Sequence, residues 1–193
     1  WLGLEMNTLA ALPLISKTKH PRAVEASTKY FLTQTTASCL LLFSSTTNAW
    51  YTGTWYITQM DNKYSSAIML IALTMKAGTA PTHFWLPEVM QGSTMTTAIM
   101  ISTWQKIAPV ILMTSMSHQA PSNITLIIGL LSMTFGGWGG MNQTQLRKMM
   151  AYSSIANMGW TIIILTTHPK TSVMNLLIYM TIITPMMSVM GQS

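Results

Sequence analysis

Residues 63–92 read KYSSAIMLIALTMKAGTAPTHFWLPEVMQG, and this stretch decides the fold class. From about Ser65 to Ala80 almost every position is apolar or small, as in a helix surrounded by lipid, yet Lys76 lies inside the run. Gly78 and Pro81 then predict a break, because proline lacks an amide hydrogen and its ring clashes with the carbonyl four residues earlier. His83 to Gly92 follows as a short irregular or half-helical piece. A lysine at membrane depth beside an interrupted helix is the feature to be explained.

The rest of the chain is built for the same solvent. Charged residues make up 7% of the 193, against about a quarter in ordinary soluble domains. The mean hydropathy is +0.36, with apolar residues gathered into long stretches. A soluble core of this size would need more charge to cover it. Seven apolar segments follow one another at approximately 1–15, 23–49, 65–80, 94–116, 123–141, 146–167 and 172–190. They predict an all-α, polytopic transmembrane helix bundle with one broken helix, forming a single transmembrane domain over 1–193. Because Trp1 opens within an apolar run with no initiator methionine, the chain reads as a fragment cut inside a helix.

Orientation follows from the basic residues. Lys17, Lys19, Arg22, Arg147 and Lys148 fall in the loops after the first and fifth segments, with Lys29 just inside the second. The loops on the opposite side carry Lys63 and Lys170. Six against two places the first set on the positive-inside face, which in a mitochondrion is the matrix. The net charge of +6 does not imply nucleic-acid binding, because the basic residues form no stripe with interleaved aromatics. Cys39, the sole cysteine, excludes an internal disulfide framework and reads as a small apolar filler. The 19 methionines and the frequent threonines suit a mitochondrial genome.

Three ionisable residues fall within the segments: Glu5, Lys76 and Lys106. A charge at the centre of a spanning helix costs about 2.5–3.5 kcal/mol, so each needs a reason. Glu5 lies roughly 18 Å along a helix from Lys17, and Lys76 roughly 20 Å from Lys63. Lys106 is near the middle of its own segment. In a hydrocarbon core about 30 Å thick, all three reach the midplane. One acid and two bases at common depth suit sideways proton transfer through confined water; a static ion pair that fixes helix packing is the alternative. His83, just beyond the break, is a relay candidate and equally an interfacial hydrogen-bonding residue.

These residues sit in recognisable stretches: GLEMNTLA, PRAVEASTKYFLTQ, KAGTAPTHFWLPEV, STWQKIAPV, GGWGGMNQTQLRKMMAYSSIA and NMGW. Across essentially the whole chain they resemble the subunit 2 family of mitochondrial NADH dehydrogenase (ubiquinone). These are antiporter-like membrane subunits of respiratory complex I. The resemblance implies an antiporter-like subunit fold, here incomplete, in the mitochondrial inner membrane. It implies proton translocation coupled to electron transfer from NADH to ubiquinone, with Glu5, Lys76 and Lys106 at the family's proton-path positions. A further lysine of that path belongs to a later helix that this chain does not reach. Other membrane subunits of the complex and the lipid bilayer are the implied partners. No cofactor is expected here, since NADH, FMN, iron–sulfur clusters and ubiquinone belong to other subunits. A standalone cation/proton antiporter and a purely structural membrane subunit are the alternatives.

Two positions depart from the family pattern: Asn157 stands where histidine is common, and Thr82 replaces an aromatic before His83. Gly136, Gly137, Gly139 and Gly140 include a GxxxG spacing that reads as close helix packing, not nucleotide binding. Arg147 and Lys148 read as orientation and headgroup anchors, with a role in matrix-side proton uptake as the lesser alternative. Asn123 and Asn142 head glycosylation sequons that a mitochondrial location leaves unused. The histidines show no metal-ligand spacing, and no serine–histidine arrangement suggests a nucleophile.

Overall fold

The computed structural model describes residues 1–17, 20–60 and 62–191, and Lys19 of the orientation argument lies outside them. Helices make up most of the described chain, and no strand occurs among the described residues. In chain order they are α1 (Leu2–Ile15), α2 (Pro21–Thr52), α3 (Lys63–Ala77), α4 (Trp85–Gly92), α5 (Met95–Ser102), α6 (Trp104–Ser115), α7 (Ser122–Met141), α8 (Leu146–Thr167) and α9 (Pro169–Met190). Of these, α7, α8 and α9 are long and apolar enough to cross a membrane individually.

Local chemistry sets the ends of the polar-bounded helices. Pro21 occupies the first turn of α2, where its missing N–H is harmless, and the His20 ring accepts from the Arg22 N–H. The Asn62 side chain caps α3 by accepting from the Tyr64 N–H. At the far end of α3, Gly78 turns left-handed at φ +77°, a conformation cheap for glycine alone. The Thr79 N–H and hydroxyl both donate to the Thr74 carbonyl, and the Ala80 N–H donates to Ser132 Oγ on α7. The break expected at Gly78 and Pro81 is therefore present, with its freed backbone groups re-satisfied inside the protein.

A second break corrects the sequence reading. The segment 94–116 reads as one helix, but the structure interrupts it at Thr103 (φ −112°, ψ −74°), dividing α5 from α6. The Thr103 hydroxyl competes for the Ile99 carbonyl at 2.7 Å. Pro109 within α6 also removes the donor that the Gln105 carbonyl would otherwise meet. Both effects weaken the helical ladder near the interruption.

The helices close on two apolar clusters. One gathers Tyr30 of α2, Leu86 and Val89 of α4, Ile155 of α8 and Ile183 of α9. The other gathers Leu41 of α2, Leu73 of α3, Val110 of α6, Ile162 of α8 and Leu176 of α9. Along α2 and across the α3–α4 and α5–α6 breaks, the change from one cluster to the other brackets the buried polar residues Gln34 and Ser38, Thr79, and Lys106, with Lys76 just before Ala77 at the edge of the second cluster and Ser154 just before Ile155 at the edge of the first. A polar layer thus lies between two apolar halves. Close packing of α7 on α8 supports it: a Cβ on Gly159 would come within 2.7 Å of the Gly129 carbonyl, and one on Gly136 within 2.6 Å of the Ala156 nitrogen. Gly137 of the GxxxG run meets nothing within 4 Å.

Candidate functional site: a buried charge layer at two helix breaks

Glu5 enters the layer from α1. Its Oε2 accepts a hydrogen bond from Ser38 Oγ of α2 at 2.5 Å. The same oxygen lies 4.0 Å from Lys76 Nζ of α3. The side chain of Lys76 is 3% exposed and that of Glu5 21%. Lys76 Nζ makes no hydrogen bond, so the pair is held at the outer limit of contact. Its backbone is pinned separately, because Gln34 Nε2 donates to the Lys76 carbonyl at 3.4 Å.

Lys106 enters from the first turn of α6 and is 2% exposed. Its Nζ donates to the Ser154 carbonyl of α8 at 3.4 Å and lies 5.3 Å from the Tyr179 ring centroid of α9. No carboxylate faces it among the described residues. A neighbouring amide pair ties its helix to α1: Asn7 Nδ2 donates to Gln105 Oε1 at 2.7 Å, with the reciprocal contact at 3.4 Å.

His83 stands apart from both lysines. It is 3% exposed, its Nδ1 is buried without a partner, and its ring lies against Phe84, Phe135 and Tyr152 with centroids 4.3, 5.5 and 6.4 Å away. No hydrogen bond connects it to Lys76 or Lys106 among the described residues. The structure therefore joins Glu5 with Lys76, buries Lys106 at the second break, and shows no hydrogen bond from His83 to either lysine among the described residues. Asn157 Oδ1 accepts from Asn175 Nδ2 of α9 at 3.5 Å.

At one end of the bundle, Lys29 bridges Glu25 at 2.6 Å and Glu88 at 2.5 Å. Arg22, Lys29 and Lys148 line a polar cavity of about 260 Å³ there. Arg147 nearby donates to the Ser93 carbonyl. Four of the six basic residues assigned to one face, Arg22, Lys29, Arg147 and Lys148, thus gather at this end of the bundle. Ser38, Gln34, Asn7 and Gln105 were not singled out by the sequence. A polar residue in an apolar helix was the available signal for the two amides on α1 and α6.

With the geometry in hand, the chain can be compared with known proteins. Residues 1–190 match the family described as NADH:quinone oxidoreductase/Mrp antiporter, transmembrane. The chain is 56% identical over 180 residues to NADH-ubiquinone oxidoreductase chain 2 of Xenopus laevis, a match covering 93% of this chain and 52% of that protein. It spans about half the length of the curated relatives it matches. A chain of respiratory complex I from Thermus thermophilus has a similar fold, with a TM-score of 0.92 at 26% identity over 99% of this chain and 45% of that one. A chain of the Mrp complex from a Dietzia species gives 0.84 at 19% identity, over 92% and 37% respectively, a likeness of fold. From end to end of that match, this chain belongs to the NADH:quinone oxidoreductase/Mrp antiporter family of transmembrane proteins.

Proposed function

We propose that this chain belongs to a membrane subunit of a proton-translocating NADH:ubiquinone oxidoreductase in the mitochondrial inner membrane. In this reading Glu5, Lys76 and Lys106 carry protons laterally at mid-membrane. The observation that carries it is the Glu5–Lys76 pair, two charges 4.0 Å apart beside a broken helix, with the ammonium unbonded. A pair built for static packing would close to hydrogen-bonding distance, because burying two charges is offset only by good geometry. The family membership and the name of the Xenopus relative support the oxidoreductase assignment.

Mechanistically, a protonated Lys76 is held by ionised Glu5. Weakening that attraction, by moving or neutralising Glu5, releases the lysine proton towards Lys106. No hydrogen bond joins the two lysines among the described residues, so the transfer runs on water admitted when the pair opens. Lys106 receives the charge against a carbonyl and an aromatic face. His83 is the proposed relay at the edge of this path. Electron transfer from NADH to ubiquinone, with its flavin and iron–sulfur clusters, takes place on other subunits. Moving one charge across 100 mV costs about 2.3 kcal/mol, a scale that switching one buried pair can match.

In the correctly assembled complex, Glu5→Gln or Lys76→Met is expected to lower the number of protons moved per electron. An unchanged ratio overturns the reading, and loss of assembly whenever activity is lost favours a purely structural subunit. The family description also names antiporters, which supports a second reading as a standalone cation/proton antiporter. Cation-dependent proton exchange by the full-length chain alone supports that reading, whereas strict co-purification with a redox complex excludes it.

A further inference from the structure

The hydroxyls of α2 contain one exception. Every other serine and threonine of this helix donates to a carbonyl of α2 itself, three or four residues earlier. Such back-bonding is the ordinary fate of hydroxyls in helices surrounded by apolar material. Ser38 instead turns its hydroxyl away from its helix and donates to Glu5 Oε2 on α1. It is 3% exposed, so the hydroxyl itself is shielded from water.

The oxygen it holds is also the one that faces Lys76. Two donors, the Ser38 hydroxyl and the Lys76 ammonium, thus converge on one carboxylate oxygen, and the hydroxyl has it. The ammonium remains at 4.0 Å without a hydrogen bond. One turn earlier on the same face of α2, Gln34 ties the Lys76 backbone to α2. The position at which the carboxylate is held then sets the gap to the ammonium.

We propose that Ser38 is a positioning residue whose side-chain rotation sets the Glu5–Lys76 separation. In the observed rotamer it binds Glu5 and keeps the ion pair open. Turned about its Cα–Cβ bond, it donates to its own helix at the Gln34 or Thr35 carbonyl, as its neighbours do to theirs, and releases Oε2 to the ammonium. One hydroxyl bond replaces another, so the two arrangements differ chiefly in the ion pair. A change of charge or helix position near α1 then switches the pair between open and closed. This inference rests on the proposed proton path through Glu5 and Lys76.

The test uses the full-length protein in its assembled complex. Ser38→Ala removes the competing donor, leaves the pair closed, and lowers kcat about ten-fold with the KM for ubiquinone unchanged, the factor set by one hydrogen bond to a charged group. Ser38→Thr keeps the hydroxyl and restores most of the lost turnover, which a packing role for a larger side chain would not do. In a Glu5→Gln background, Ser38→Ala adds no further loss. Should Ser38→Ala reduce assembly, Ser38→Cys takes its place, because a thiol is a weak donor of nearly the same size. Turnover at the wild-type level in a fully assembled Ser38→Ala complex overturns the inference, as does failure of threonine to rescue or a loss additive to that of Glu5→Gln. If Glu5→Gln itself leaves proton movement unchanged, the proton path has failed. If Glu5→Gln is impaired while Ser38→Ala is not, the rotamer switch alone has failed.

Discussion

Lys76 and Lys106 are both buried at an interrupted helix, yet they are held by opposite means. Lys76 closes α3, at the end where unpaired carbonyls concentrate negative charge, and Glu5 lies across from it. Lys106 opens α6, at the end where unpaired amides oppose a cation, and meets a carbonyl and a tyrosine face instead of a carboxylate. A carbonyl dipole and a ring quadrupole stabilise a cation less than a carboxylate does. The first lysine is a place where charge rests; the second is a place where charge can arrive but is held less strongly. In the proposed proton path, the two lysines are thus unequal sites.

The largest consequence concerns stability. Lys76→Met removes one member of a buried pair and leaves Glu5 uncompensated, which costs about 3 kcal/mol, the lower end for such losses because Glu5 is partly exposed. Lys106→Met removes a buried amine that has no counter-charge and replaces it with an apolar chain of similar length, so stability is unchanged or rises. The midpoint of heat-induced dissociation of the purified complex reads both. Adding Glu5→Gln to Lys76→Met should recover most of the loss, since the stranded charge is then gone. Equal losses for the two lysine variants would dissolve the contrast between them.

The same contrast explains what the sequence could and could not disclose. The break after Lys76 was legible because Gly78 and Pro81 announce it through backbone chemistry. The break before Lys106 was not, because Thr103 keeps a negative φ and resembles the many threonines that remain helical here. Depth arithmetic brought Glu5 to the level of Lys76, where the structure pairs them. It could not single out Ser38, which in sequence is one hydroxyl among the many on α2. His83 followed Lys76 closely along the chain, but the turn between them points it into an aromatic box on α7 and α8.

An intermediate effect separates the two breaks themselves. Gly78→Ala imposes the left-handed conformation on a residue with a Cβ, at a cost of about 1–2 kcal/mol. That Cβ would also lie 3.1 Å from Trp85 Cζ2, a tight contact against a buried ring. Thr103→Val, at φ −112°, loses only a hydroxyl bond to its own helix and should cost less than about 1 kcal/mol. Thermal dissociation midpoints of the two variants test the difference. A larger loss for Thr103→Val would mean that the second break, not the first, is the more constrained hinge.

The smallest effect probes how α1 serves both lysines. Through Glu5 it reaches Lys76, and through the Asn7–Gln105 amide pair it reaches the helix of Lys106. Hydrogen bonds between helices in membranes couple by about 0.6 kcal/mol on average, because the separated helices find other partners. A double-mutant cycle with Asn7→Ala and Gln105→Ala should return a coupling of that size, below that measured for Glu5→Gln with Lys76→Met. The ranking follows from charge: an amide released from its partner can bond elsewhere in the bundle, whereas an ionised group cannot be neutralised by rotation. A coupling at Asn7–Gln105 equal to that at Glu5–Lys76 would show that the amides, rather than the ion pair, hold α1 in place. The open spacing at Glu5 would then be set from the α6 side, through Gln105, instead of from α2.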